Sequence, residues 1–221
     1  MSRLDLSTLS IPDAQLIQRG LASLGIYDGT FLGKPGPKTQ AAYDQFQASF
    51  AAVAAPAPEL PGGKSLAIRL VEILMTKEGV REIPLNSNRG PDVEAFQAST
   101  WLSGTGWAWC AAYVCWGIRE LGKEFALPFA RPETAAAYGF EEWAKQQGLK
   151  LFKPAGKILA GDIVIFTFSH IGVAVADEAG GYIETIEGNT DSGGSREGNG
   201  AYRRRRAKSL IRSHVRLEKK A

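Results

Sequence analysis

From residue 10 to residue 50, apolar residues recur at helical spacing in two stretches: Leu16, Ile17, Leu21 and Leu24, then Ala42, Tyr43, Phe46 and Phe50. Ser10 with Asp13 three positions on is a helix-start pattern, Gly25 suits a helix end, and Pro37 suits the first turn of the second helix. Between them, residues 27–37 are rich in Gly and Pro. The pattern predicts a very small all-helical unit over residues 1–50. Residues 51–63 are small, Pro-rich and almost uncharged, and read as a linker. Its residues 56–63, if extended, reach roughly 25 Å.

A second unit is predicted over residues 64–221. Ala67, Leu70, Val71 and Leu74 predict a helix stopped at Gly79, and Pro91 predicts the start of another. Helical spacing continues over 109–121, where Ala111, Val114, Cys115, Ile118 and Leu121 share a face, and over 132–147. The period then changes to two. Segments 162–168, 171–176, 182–186 and 211–217 alternate as strands do. Helices followed by strands predict an α+β unit with an antiparallel sheet.

Composition adds exclusions. Hydrophobic residues make up 44% and charged residues 22%, which argues against wholesale disorder. No apolar run approaches ~18 residues, and the N-terminus carries Asp5 without a long apolar stretch, so no secretory signal is expected. The only cysteines, Cys110 and Cys115, lie five apart on one predicted helix. The axial rise separates them by about 7.5 Å, too far for a disulfide. With His170 and His214 as the only histidines, a Cys/His zinc site is excluded. The net charge of +3 is uneven: residues 196–221 hold ten Lys and Arg against Glu197 and Glu218. That stretch suits either contact with an anionic wall or outer-membrane surface, or a solvated basic strand. No nucleic-acid reading motif accompanies it, so no nucleic acid is expected.

Cys110 directly follows a Gly-rich segment at its helix start, where free N–H groups and partial positive charge activate a thiol and hold an oxyanion. Cys115, mid-helix, reads as inert core. His170 opens a strand. If the hairpin of 171–176 with 182–186 places Val175 opposite Tyr182, then Glu187 lies opposite His170, with Asn189 on the same face. Gly172 and Ala174 on that face leave room for the helix. His214, between Arg212 and Arg216, is the poorer base. Each residue alone reads as packing or surface; the conjunction points to a thiol nucleophile, an imidazole base and a carboxylate that orients it.

Two resemblances sharpen this reading. Gln18, Leu21, residues 24–29, Gly33, residues 36–39, Ala42 and residues 46–47 resemble the three-helix peptidoglycan-binding module of wall hydrolases, with Leu32 where that family often has Asp. The resemblance implies wall contacts at Asp28, Gly29 and Thr39; a plain helical cap is the alternative. Residues 88–91, 109–114, 161–164, 170–173 and 187–189 resemble the CHAP domain, the cysteine, histidine-dependent amidohydrolase/peptidase. It implies a papain-like fold, Cys110 as nucleophile, His170 as base, and Glu187 and Asn189 orienting the histidine or polarising the site. Trp107 and Trp109 read either as lining of the substrate groove or as packing. No cofactor is expected. Residues 98–109 contain no Asp or Glu, so no calcium site is expected there.

The expectation is a peptidoglycan hydrolase that cuts an amide, as an N-acetylmuramoyl-L-alanine amidase or as an endopeptidase of the stem peptide or cross-bridge. Its setting is expected to be a phage or prophage endolysin, made in the cytoplasm and acting on the wall after release. The alternatives are a secreted antibacterial effector and a non-catalytic wall-binding protein.

Overall fold

The computed structural model describes residues 6–54, 65–154 and 156–219. The chain divides into two compact units, Met1–Ala57 and Pro58–Ala221. Residues 55–63 of the expected linker lie outside the described residues, and 51–54 continue a helix.

In the first unit, a short 3-10 turn precedes α1 (Ile11–Ser23) and α2 (Pro37–Ala54). Ser10 caps α1, its hydroxyl accepting from Asp13 N–H. Leu21, Ala42 and Tyr43 form the core with Leu6, and Ile17 and Phe46 pack against it. Leu16 and Leu24 are exposed, whereas Gln18 is buried. The Gln18 amide donates to Thr39 Oγ1 at 3.1 Å and its carbonyl accepts from Gly33 N–H at 3.2 Å, so it ties the loop to both helices. Periodicity assigns Leu16 and Leu24 to the apolar face, whereas the structure buries the polar Gln18. The side chain of Phe50 lies outside the description.

The second unit begins with α3 (Leu66–Met75), α4 (Pro91–Gln97), α5 (Cys110–Glu124) and α6 (Gly139–Gln146). The helix expected over 132–147 forms only from Gly139; before it the chain is irregular, and Arg131 and Glu133 pair with each other. Six strands follow: β1 (Leu149–Phe152), β2 (Ile163–Phe166), β3 (Ile171–Ala174), β4 (Tyr182–Thr190), β5 (Gly200–Ala207) and β6 (Ile211–Lys219). They make one antiparallel sheet in the order β1-β6-β2-β3-β4-β5. The α+β expectation stands, with β1 and β5 added. No described helix is long and apolar enough to cross a membrane.

Both sheet faces are apolar. Ile163, Ile165, Val173, Ile186 and Val215 pack with α3 and α5 residues such as Leu70, Tyr113 and Ile118. Alternate residues Val164, Phe166, Ala174, Ile183 and Ile211 form a second cluster on the other face. Gly188 lets the helix start lie close to the sheet: a Cβ there would lie 2.6 Å from Trp109 Cζ3 and 2.7 Å from Tyr113 Cβ.

Candidate active site

Cys110 is the first residue of α5, as its Gly-rich approach predicts. The helical ladder starts with Tyr113 N–H donating to Trp109 C=O at 2.9 Å. The N–H groups of Cys110, Ala111 and Ala112 precede that bond and form the positive end of the helix.

His170 follows a turn at Ser169, whose φ is 57°, and it is fully buried. Its Nε2 lies 3.0 Å from Glu187 Oε2. Its Nδ1 has no hydrogen-bond partner among the described residues and is the nitrogen left for Cys110. Burial pushes the His170 pKa down, but the neighbouring Cys110 and the hydrogen-bonded Glu187 outweigh it and raise the pKa to about 9. Burial pushes Glu187 up, yet Arg206 and His170 hold it down at about 2.

The hairpin register differs from the expected one. Val173 pairs with Ile186, and Val175 N–H donates to Glu184 C=O, so Gly172 rather than His170 faces Glu187. The slip is two residues, which keeps Glu187 on the His170 face, and the Glu187 side chain reaches the ring diagonally. Gly172 makes the reach possible: a Cβ there would sit 2.6 Å from Glu187 Cγ. Gly172 therefore makes room for the carboxylate, while the helix is accommodated at Gly188.

The side-chain hydrogen bonds of Asn189 go to residues other than the histidine. Its Oδ1 accepts from Trp109 N–H at 3.0 Å, and its Nδ2 donates to Gly198 C=O at 2.8 Å and Asn88 Oδ1 at 3.1 Å. Its φ of 55° is a left-handed conformation that Asn tolerates. It fastens the end of β4 to the residue before the nucleophile.

Trp109 is fully buried, and its indole N–H donates to Glu82 Oε1 at 2.9 Å. It packs the helix start and does not line a groove. Half-buried Trp107 does, in a cleft of about 430 Å³ that it shares with Glu82, Asn88, Ala108 and Gly198. In the first unit, Thr39 is buried and its hydroxyl accepts from the Gln18 amide. Gly29 lies against the Tyr27 ring, and Asp28 is exposed, 3.3 Å from Lys38 Nζ.

Sequence reasoning missed two residues of the site. Buried Glu82 accepts from Trp109 Nε1 and from Asn88 N–H at 3.0 Å, and no local pattern marks it. Arg206 clamps Glu187, and its signal was hidden in a run of four arginines. Cys115 is buried and free, its thiol donating to Thr134 C=O at 3.4 Å, and burial pushes its pKa up to about 12. Its core assignment stands. Among the described residues, no group of three or more His, Cys, Asp and Glu is placed to hold a metal ion.

Residues 102–189 match the family model of the CHAP domain. The matched stretch runs from the approach to Cys110 through His170 and Glu187 to Asn189, and it covers less than half of the chain. No curated protein matches the chain significantly. The matched stretch is similar to a family of cysteine- and histidine-dependent amidohydrolases and peptidases, and this supports a hydrolase acting on an amide of peptidoglycan.

Proposed function

We propose that the second unit cleaves an amide bond of peptidoglycan through Cys110, and that the first unit holds the wall. The observation that carries this reading is the buried chain Cys110, His170 and Glu187, with the sulfur at a helix start. The Cys110 sulfur attacks the amide carbonyl, and the developing oxyanion is held by N–H groups at the start of α5. His170 delivers its proton to the leaving amine, leaving a thioester. The same ring then takes a proton from water, hydroxide adds to the thioester, and the acid and the thiol are released. Glu187 keeps the ring oriented throughout. The cleft beside Ala108 and Trp107 is the entry for the peptide.

The scissile bond is that of an amidase or of an endopeptidase, and the setting is that of a phage or prophage endolysin acting on the wall after release. Digestion of purified peptidoglycan, followed by mass spectrometry, tests the reaction. New muramic-acid ends identify an amidase and new peptide amines an endopeptidase. Products with new reducing sugars alone, or none, overturn amide cleavage.

A further inference from the structure

Glu187 is fully buried, and a carboxylate withdrawn from water takes up a proton unless donors and cations hold its charge. Three side chains surround it. Arg206 approaches with two prongs, Nη2 at 2.5 Å from Oε2 and Nε at 2.9 Å from Oε1. Thr185 Oγ1 donates to Oε1 at 2.5 Å. His170 Nε2 stands 3.0 Å from Oε2.

We propose that Arg206 is a positioning residue of the active site, clamping Glu187 from behind so that the carboxylate stays charged and fixed and holds the His170 ring, protonated and oriented, toward Cys110. The proposal deepens the hydrolase reading above and rests on it for its catalytic meaning.

The four consecutive arginines of β5 divide by strand alternation. Arg203 pairs with Glu184 at 2.9 Å, and Arg205 lies 3.7 Å from the Tyr182 ring centroid. On the other face, Arg204 Nη1 donates to Ser192 C=O at 2.7 Å. Arg206 alone reaches the site. It is 8% exposed, it lies 5.5 Å from the ring centroids of both Phe166 and Phe168, and its Nη1 donates to Gly194 C=O at 2.9 Å. Phe166 and Phe168 also stack near the His170 ring, each at 5.9 Å, so the same aromatic wall positions both ends of the relay.

The charges facing one another are few. Cys110 from α5 and Glu187 from β4 act on His170; His170, just before β3, and Arg206 from β5 act on Glu187. Without Arg206, the buried Glu187 takes a proton, the His170 ring loses its counter-charge, and the sulfur loses the imidazolium that favours its anion.

The test reads the sulfur and needs no substrate. Alkylation of Cys110 by iodoacetamide is followed by mass spectrometry across the pH range in the full chain carrying Cys115→Ala. Arg206→Gln is expected to slow alkylation at neutral pH about tenfold and to move its rise about one pH unit higher. Arg206→Lys, which keeps the charge and loses one prong, is expected to fall between. If either folded variant keeps the parent's pH profile, with only its melting temperature lowered, the role is structural and the proposal is overturned. If Arg206→Gln does not fold, Arg206→Lys decides alone by the same criterion. A parent whose alkylation responds to Arg206 but which releases nothing from peptidoglycan upholds the Arg206 role and overturns the hydrolase reading instead.

Discussion

Cys110 and Cys115 share a helix and differ in what surrounds the sulfur. Cys110 stands at the positive end of α5 beside a protonated ring, whereas Cys115 is sealed in the core with a strongly raised pKa. Cys110→Ala is expected to abolish wall lysis with the fold retained. Cys115→Ala is expected to keep most activity at a stability cost of about 1 kcal/mol. Turbidity and urea-unfolding assays check both, and an essential Cys115 would contradict the site. The pH dependence follows from His170 and Glu187. The folded pKa of His170 is raised, so its contribution to stability is full below its ordinary value of 6.5 and is lost as pH rises through about 9. The folded pKa of Glu187 is depressed, so its contribution is present above 4.5 and lost as pH falls toward about 2. The stability gap between the wild type and His170→Gln, measured by thermal unfolding across pH, should narrow above about pH 9. A constant gap would refute the protonated ring.

The junction of α5 with β4 sets the geometry at the level of elements. Gly188 lets Trp109 and Tyr113 press against the sheet, and Asn189 then fastens Trp109 N–H. Asn189→Gly keeps the left-handed backbone but removes that fastening. It is expected to cost about 1–3 kcal/mol, because Trp109 N–H is left buried without its acceptor, and to lower kcat more than it raises KM. Unfolding curves and steady-state kinetics on a muropeptide measure the two effects. Unchanged kcat would show that the helix start is held by packing alone.

Across the whole molecule, the basic C-terminal stretch complements acids placed earlier in the sequence. Arg203 pairs with Glu184, Arg206 with Glu187, Lys208 with Glu178, Arg212 with Glu141 and Arg216 with Asp162. Among the described residues, five of the ten basic residues of that stretch thus meet acids placed earlier in the chain. Asp162 is 1% exposed and takes two bonds from Arg216, at 2.8 and 2.9 Å. Arg216→Ala leaves that carboxylate buried with the Leu159 N–H at 3.0 Å and His214 3.7 Å away. The expected loss is about 3–5 kcal/mol in denaturant unfolding, and a loss within experimental error would show that Asp162 is hydrated. The division into two units makes a further prediction. Residues 64–221 should still cut soluble muropeptides and lose activity on intact sacculi, while residues 1–55 should be retained by insoluble peptidoglycan in a pull-down. Failure of that retention would remove the targeting role.

Local sequence was sufficient wherever the physics is local. Ser10, Pro37, Pro91 and the Gly-rich run before Cys110 set helix starts through caps, a fixed φ and free N–H groups, and period-two alternation marked four of the six strands. It also nominated Cys110, His170, Glu187 and Asn189, because their order along the chain is itself a pattern. Tertiary structure decided what each of them touches. Strand register moved Glu187 two places, and the even slip kept its face because side chains alternate with a period of two. β5 escaped detection because its arginines hide the alternation: those on one face meet Glu184 and Tyr182, while Arg206 on the other enters the core and meets Glu187, a pairing of residues nineteen apart that only the fold brings together. Trp109, Thr39 and Gln18 show the same limit. Whether an aromatic or polar side chain faces solvent or the interior depends on what the rest of the chain packs over it.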